Sequence, residues 1–308
     1  MMRRLSQRLS APNWARFGNA GSTPPPEPAV TAGANELEGS TTHPWPGYKS
    51  IRNLFIFGDS YSAIGFTVHN PPPKKVDRRK TPFKGLTYAD SDGTNWVGYL
   101  LSQRRMHPDL LVHDYAVGGA CVPARGFRAA LETQVNRDFL DGYAMKTTKD
   151  GSLPWNAADS LFVTWIGIND CAYAETHEET LDLLFTLQEK LYTAGARIFL
   201  FIDVPPIGRS PAGINASSDI SATYTNWNVS LASHIQDFTS AHPDARVLTF
   251  SAFDSFNRLL DSAEFTEDDR RMAGGKVWRD RLHPTSRVHE IFAADVVAFF
   301  EGVDKNSA

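Results

Sequence analysis

Five short apolar segments, separated by stretches of helical spacing, constrain the fold of this chain most strongly. Residues 160–166 are apolar almost throughout, as in a strand that is buried on both faces of a sheet. Strands that alternate with helices favour a parallel sheet joined by right-handed crossovers. The predicted strands are residues 51–57, 110–116, 160–166, 197–204 and 246–250. The sequence therefore predicts an α/β fold with a mainly parallel, five-stranded sheet.

No long linker interrupts residues 51–302, so we predict one domain with these limits. Residues 1–50 are rich in Pro, Gly, Ser and Thr and lack periodicity, which predicts a disordered or loosely packed N-terminal tail. Residues 303–308 are predicted as a C-terminal tail. Residues 1–26 contain four arginines and no acidic residue, a pattern that also fits a mitochondrial transit peptide. They contain no apolar core of a secretory signal, so an intracellular location is the default expectation.

The composition argues against several classes of binding partner. A formal net charge of −4 argues against a general nucleic-acid binder. No stretch of eighteen apolar residues occurs, so we expect no integral membrane association. Two cysteines exclude a disulfide framework and a four-cysteine zinc site. The expected partner is a small molecule or an oligosaccharide, and the oligomeric state stays open.

A serine follows the first predicted strand, in the segment Phe-Gly-Asp-Ser-Tyr-Ser at residues 57–62. Open α/β folds bind their ligands at the carboxyl edge of the sheet, which is where Ser60 is expected. A serine acts as a nucleophile only beside a base, and the base needs an orienting group. Such a turn on its own is as well explained by a helix cap or a loop. The flanking residues do not form the Gly-x-Ser-x-Gly elbow of the α/β-hydrolases.

The segment Asp-Arg-Leu-His-Pro at residues 280–284 contains both missing partners. A spacing of three residues lets the Asp280 carboxylate reach one nitrogen of His283 while the other nitrogen faces the serine. The alternative for Asp280 is a cap or an ion pair with Arg279 or Arg281.

Two further turns at strand ends offer donors for a developing oxyanion. Gly119 and Ser60 can present backbone N–H groups, and Asn169 can present its side-chain amide. The alternative for Gly118-Gly119 is a plain turn, and for Asn169-Asp170 an Asx-turn. Asp170 is expected to be structural.

These motifs, in this order, resemble the GDSL or SGNH family of serine esterases. The first family block corresponds to residues 58–60, the second to Gly119, the third to residues 167–170 and the fifth to residues 280–283. The phrases DGTNWV, WIGIND and VPPI at residues 92–97, 165–170 and 204–207 are similar to fungal carbohydrate esterase family sixteen, the acetylesterases. The chain departs from the family at Tyr61, where Leu is usual, and at Asp114, where Asn is usual.

The resemblance covers residues from about 52 to about 300, and it implies a three-layer α/β/α domain with the flavodoxin-like strand order 2-1-3-4-5. It also implies a serine esterase, with Ser60 as nucleophile, His283 as base and Asp280 as its orienting group. The oxyanion hole would consist of Ser60, Gly119 and Asn169. This chemistry needs no metal or organic cofactor. Many relatives are secreted, so secretion is the alternative location.

The resemblance points to acetyl or other short-chain esters on carbohydrates. The alternatives are a lipase or lysophospholipase on the same triad, and a non-catalytic binding protein on an esterase fold. All four of Ser60, Asn169, Asp280 and His283 are present, which argues against the non-catalytic protein.

Three other features are open to two interpretations. Cys121 and Cys171 each lie two residues after an oxyanion donor, so a disulfide is possible, whereas two free buried thiols are the default. The basic loop at residues 74–84 could steer anionic substrates, although a solvated loop is the simpler interpretation. Trp45, Trp96 and Trp165 could stack on sugars, although core packing is more usual.

Overall fold

The computed structural model describes residues 43–65, 83, 86–102, 106–124, 130–147, 153–174 and 176–307. Within these residues five strands form one sheet: β1 (Asn53–Gly58), β2 (Leu111–Asp114), β3 (Ser160–Trp165), β4 (Ile198–Ile202) and β5 (Arg246–Phe250). Their order is β2-β1-β3-β4-β5, and every neighbouring pair is parallel. The predicted α/β class and strand order are confirmed.

Helices cover both faces of the sheet. They are α1 (Trp96–Ser102), α2 (Leu131–Thr133), α3 (Ile168–Tyr173), α4 (Glu178–Thr193), α5 (Pro211–Ile214), α6 (Ser221–Ala241), α7 (Ala252–Asp261), α8 (Glu267–Arg271) and α9 (Ser286–Asn306). A π-helical stretch, Gln134–Ala144, continues α2. Short 3₁₀ turns lie at Tyr48–Ser50, Ala157–Asp159 and Ile207–Arg209. Helices α1 and α7 pack against α9, whereas α2 and α6 pack against α4, which gives the three-layer arrangement.

The three central strands are buried along their whole length, because helices exclude water from both faces. Aromatic pairs pack both within the sheet and between layers. Phe55 stacks on Phe162 of the neighbouring strand β3 with ring centroids 4.7 Å apart, and Trp165 of β3 stacks on Phe292 of α9 at 4.6 Å. Trp96 and Trp165 are fully buried and Trp45 nearly so. These tryptophans therefore belong to the core and are not exposed platforms for sugars.

The domain extends beyond the predicted limits at residues 51 and 302. Trp45 and Tyr48 are buried, and each stacks on Phe300 with centroids 5.9 Å apart. Helix α9 continues to Asn306, with Val303 buried. The composition of residues 1–50 concealed these two aromatic contacts, because a tail prediction averages over the whole segment. Residues 1–42 lie outside the described residues.

Asp114, which replaces the usual family asparagine, ties the segment after Ser60 to the end of β2. Its Oδ2 accepts the Ile64 N–H at 2.8 Å, and its Oδ1 accepts the Ala116 N–H at 2.9 Å. An asparagine would have an amide nitrogen in place of one of these oxygens, and that nitrogen would face a backbone N–H without being able to accept its hydrogen bond. Burial raises the pKa of Asp114 to about 8, although both hydrogen bonds act in the opposite direction.

Asp114→Asn should make the stability of the protein less dependent on pH. A carboxyl whose pKa is raised by folding stabilises the folded state at low pH, and this contribution is lost as pH rises from about 4 towards about 8. Between pH 6 and 9 the native protein should lose at least ~1.4 kcal/mol more unfolding free energy than the variant, since one pKa unit corresponds to that amount. Urea unfolding at both pH values measures the difference. Asp268→Asn, at an exposed position of α8, is the control, and equal losses in native protein and Asp114→Asn would contradict the prediction.

Candidate active site

The carboxyl ends of three adjacent strands bring the predicted site residues to one edge of the sheet. Ser60 lies two residues after β1, Gly119 lies beyond β2, and Asn169 lies beyond β3. Because β2, β1 and β3 are parallel neighbours, their following turns are neighbours too. His283 and Asp280 reach this edge from the loop that precedes α9.

Ser60, His283 and Asp280 form a continuous hydrogen-bonded chain. The Ser60 hydroxyl lies 2.9 Å from Nε2 of His283. Nδ1 of the same ring lies 2.9 Å and 3.1 Å from the two carboxylate oxygens of Asp280. In this arrangement Nδ1–H donates a hydrogen bond to the Asp280 carboxylate, which leaves Nε2 unprotonated and able to accept the serine proton. The serine hydroxyl is thereby placed beside an oriented base.

Asp280 also organises the loop that holds the imidazole. Its Oδ1 accepts the backbone N–H groups of Leu282 and His283, both at 2.8 Å. Partial burial alone would raise the pKa of Asp280, but the hydrogen bonds from His283 and Leu282 outweigh it and hold the pKa well below its usual range. The carboxylate is therefore charged at neutral pH. The proposed ion pair with Arg279 is not formed: the Arg279 guanidinium donates instead to the Tyr88 carbonyl at 2.6 Å.

The two predicted backbone donors of the oxyanion hole are the N–H groups of Ser60 and Gly119. Within the part of the chain that the structure describes, neither the Ser60 nor the Gly119 N–H has a hydrogen-bond acceptor in the protein. Gly119 has φ +77°, a conformation that glycine adopts without strain, and no described atom lies within 4 Å of where a Cβ would stand. The two N–H groups are thus available to an oxygen on the substrate.

Asn169 stands at the start of α3, after Gly167, whose φ is +123°. A Cβ on Gly167 would lie 2.4 Å from the Trp227 ring, so only glycine fits this turn. The Asn169 amide nitrogen donates to the Ala120 carbonyl at 2.9 Å, which ties it to the loop of Gly119. It also lies 3.4 Å from Oδ2 of Asp59.

Asp59 is buried behind the Asn169 amide. Burial raises its pKa to about 7; the hydrogen bond from the Tyr61 N–H opposes this rise, and the neighbouring Asp170 carboxyl adds to it. Asp170 itself accepts the Val122 N–H at 3.0 Å, a contact that joins two of the turns and agrees with the structural role expected for it.

The two cysteines are buried and form no disulfide. Burial raises the pKa of the Cys171 thiol well above its usual value, and the neighbouring Asp170 and Cys121 add to the rise. A thiol held in its protonated form is a poor nucleophile.

Two buried amides that support the serine turn were missed by sequence reasoning. Gln134 holds both backbone groups of Gly58: it accepts the N–H at 2.9 Å and donates to the carbonyl at 2.8 Å. The Asn95 amide nitrogen donates to the backbone carbonyls of residues 61–63, the nearest at 2.8 Å. Nothing local in the sequence marks Gln134, and Asn95 was noted only as part of the phrase DGTNWV at residues 92–97.

Tyr61, which stands where leucine is usual in the family, makes a hydrogen bond through its hydroxyl. Its ring is buried, and its hydroxyl donates to the Leu282 carbonyl at 2.7 Å. A leucine at this position could not make that bond. Tyr61 therefore connects the turn of Ser60 directly to the loop of His283.

The basic loop at residues 74–84 falls outside the described ranges, apart from Phe83. Among the residues that the structure describes, no cluster of three or more His, Cys, Asp or Glu side chains could hold a metal ion. The same residues contain no helix with the length and apolar character needed to cross a membrane.

The chain matches one family model and is similar to a known acetylesterase. The model of the family described as GDSL-like Lipase/Acylhydrolase matches residues 54–296. An acetylesterase from Thermothelomyces thermophilus is 29% identical over 275 residues, which cover 82% of this chain and 89% of that protein.

The fold is similar to that of solved esterases. Axe2, an acetylxylan esterase from Geobacillus stearothermophilus, superposes with a TM-score of 0.51 at 14% identity, over 82% of this chain and 96% of that one. A variant described as an acetyl-xylooligosaccharide esterase from the same organism gives a TM-score of 0.52 at 15% identity, with the same coverage. At these identities the likeness concerns the fold alone.

Proposed function

Because this chain belongs to the GDSL-like lipase/acylhydrolase family and is a carboxylic ester hydrolase, we propose that it removes short acyl groups, above all acetyl groups, from carbohydrates through an acyl-enzyme on Ser60. The observation that carries the proposal is the chain of hydrogen bonds from Ser60 through His283 to Asp280. The similarity to an acetylesterase supports the choice of the acetyl group.

In the first half of the proposed reaction, the Ser60 oxygen attacks the ester carbonyl carbon while Nε2 of His283 takes the serine proton. The carbonyl oxygen becomes an oxyanion, which accepts hydrogen bonds from the N–H groups of Ser60 and Gly119 and from the Asn169 amide. The carbon–oxygen bond to the alcohol then breaks, and Nε2 returns its proton to the alcohol oxygen.

In the second half, a water molecule takes the place of the alcohol. Nε2 of His283 accepts a proton from this water as its oxygen attacks the acyl carbon, and the oxyanion forms again at the same donors. The bond to the Ser60 oxygen breaks and the serine recovers its proton from His283. Asp280 stays charged throughout, because it stabilises the imidazolium without taking its proton.

A series of 4-nitrophenyl esters from acetate to octanoate, followed by acetylated xylo-oligosaccharides, tests the proposal. We expect kcat/KM to fall as the acyl chain lengthens. A lipase groove would do the opposite, since each added methylene that it buries contributes ~0.8 kcal/mol, or about fourfold. A rise towards octanoate would favour the lipolytic alternative, and no hydrolysis of any ester would favour the non-catalytic one.

Asn169→Ala should lower kcat by roughly 10²–10³-fold, the usual loss for one oxyanion donor. KM should change little, because the hydrogen bond strengthens mainly in the transition state. Asn215→Ala is a matched control, since among the described residues that amide donates to the Pro211 carbonyl and caps the C-terminus of the short helix α5. Steady-state kinetics with 4-nitrophenyl acetate provide the measurement, and a near-normal kcat would show that Asn169 is structural.

Asp280→Asn should lower kcat by up to about 10⁴-fold, because the amide no longer selects the imidazole tautomer that leaves Nε2 unprotonated. Steady-state kinetics of both enzymes with 4-nitrophenyl acetate provide the measurement. A near-normal kcat would mean that Asp280 serves only the backbone of its loop.

A further inference from the structure

Tyr88 covers one face of the His283 imidazole. The two rings are stacked, with centroids 5.1 Å apart and planes at 29°. The far end of Tyr88 lies over the glycine turn, where a Cβ on Gly118 would stand 1.9 Å from the tyrosine oxygen. The side chain thus extends from the base to the loop that presents Gly119, yet 40% of it remains exposed.

The backbone around Tyr88 is anchored to the elements that hold the base. Arg279, next to Asp280, donates to the Tyr88 carbonyl at 2.6 Å. Two residues further on, Asp90 accepts the Ser286 N–H at 2.8 Å, at the first residue of α9. The ring therefore has a defined place beside His283.

The Tyr88 hydroxyl has no hydrogen-bond partner among the described residues of the protein. It lies beside Gly118, next to the predicted oxyanion donor Gly119. An aromatic face that ends in an unpaired hydroxyl suits an alcohol of mixed character, because the ring covers C–H groups while the hydroxyl bonds a polar one. Sugars have both kinds of surface.

The chemistry of the proposed reaction decides which part of the ester meets Tyr88. Nε2 of His283 must protonate the departing alcohol oxygen, so that oxygen must come within hydrogen-bond distance of the imidazole edge. The alcohol part of the ester therefore begins beside His283, on whose imidazole the Tyr88 ring is stacked.

We propose that Tyr88 is a specificity-determining residue that recognises the sugar alcohol of the substrate by ring contact and by a hydrogen bond from its hydroxyl. This inference rests on the proposed function, because it takes His283 as the acid that releases the alcohol.

Two substrates with the same acyl group isolate the contribution of the alcohol. For each enzyme the ratio of kcat/KM for an acetylated xylo-oligosaccharide to kcat/KM for ethyl acetate is measured. Tyr88→Phe removes only the hydroxyl, and it should lower this ratio by about three- to tenfold, the range for one lost hydrogen bond. Tyr88→Ala should lower it further. An effect on His283 alone would reduce both rates together and leave the ratio unchanged.

Tyr143→Phe is the matched control, since among the described residues that hydroxyl donates a single hydrogen bond, to the Pro154 carbonyl at 3.5 Å. Its ratio should equal that of the native enzyme. A ratio unchanged in both Tyr88→Phe and Tyr88→Ala would overturn the inference.

Binding separates this inference from the proposed function. In the inactive Ser60→Ala background, calorimetry with the acetylated xylo-oligosaccharide should give a Kd that Tyr88→Phe weakens about three- to tenfold. Failure of the native enzyme to hydrolyse any ester would reject the proposed function, while this titration would still test Tyr88. Equal Kd values with and without the hydroxyl, or no binding at all, would reject the role of Tyr88.

Discussion

Ser60→Ala should lower kcat for 4-nitrophenyl acetate by about 10⁴-fold or more, the scale of loss when a serine nucleophile is removed from a triad. The fold should be unaffected. Ser60 has a small side chain whose hydroxyl bonds to His283, so its loss removes little packing. Steady-state kinetics measure the loss, and circular dichroism on heating measures the stability.

A neighbouring serine provides the control. Ser62 is fully buried, and its hydroxyl accepts the Trp96 indole N–H at 3.2 Å. Ser62→Ala leaves that N–H without its acceptor and should cost about 1–3 kcal/mol of stability, with hydrolysis retained. A serine-directed organophosphate should label the native enzyme at Ser60 alone. Labelling at another residue, or persistent hydrolysis by Ser60→Ala, would show that the nucleophile is elsewhere.

His283→Ala should reduce kcat by about the same factor as Ser60→Ala, since a serine without its base is as ineffective as a missing serine. The double variant should then be no slower than either single variant, because residues that act as one unit have strongly non-additive effects. Kinetics of the three variants on one ester provide the measurement.

His234→Ala is the control for the loss of an imidazole, since His234 lies at the surface of α6 and pairs with Asp182. It should keep native activity. The alternative outcome is a loss of kcat in the double variant equal to the product of the two single losses. Ser60 and His283 would then act independently, and the proposed transfer of a proton from Ser60 to His283 would be wrong.

The central strands could be predicted from the sequence because their pattern has a local cause. A strand in the middle of a parallel sheet needs apolar residues on both faces, so β1, β3 and β4 are visible in the sequence as apolar runs. The order of the strands in the sheet could not be predicted in this way, because alternation of strands and helices is compatible with several orders. The order 2-1-3-4-5 came only from the family resemblance.

The limits of the domain were missed because they depend on remote contacts. Trp45 and Tyr48 lie in a segment of tail-like composition and are ordered by Phe300, about 250 residues later in the chain. No window of sequence contains both partners. A boundary decided by packing across the whole domain therefore could not be read from local composition.

The candidate site likewise contains residues that could be predicted from the sequence and residues that only the structure revealed. Ser60, Gly119, Asn169, Asp280 and His283 could be named from sequence because each occurs in a short motif with its own chemistry. The supports could not, because Gln134 and Asn95 bond to backbone atoms, which every residue possesses and which leave no pattern in a sequence. Sequence alone thus determined which groups could react. Tertiary structure alone decided what holds them in place and that Tyr88 lies beside the base, because both depend on distances between residues far apart in the chain.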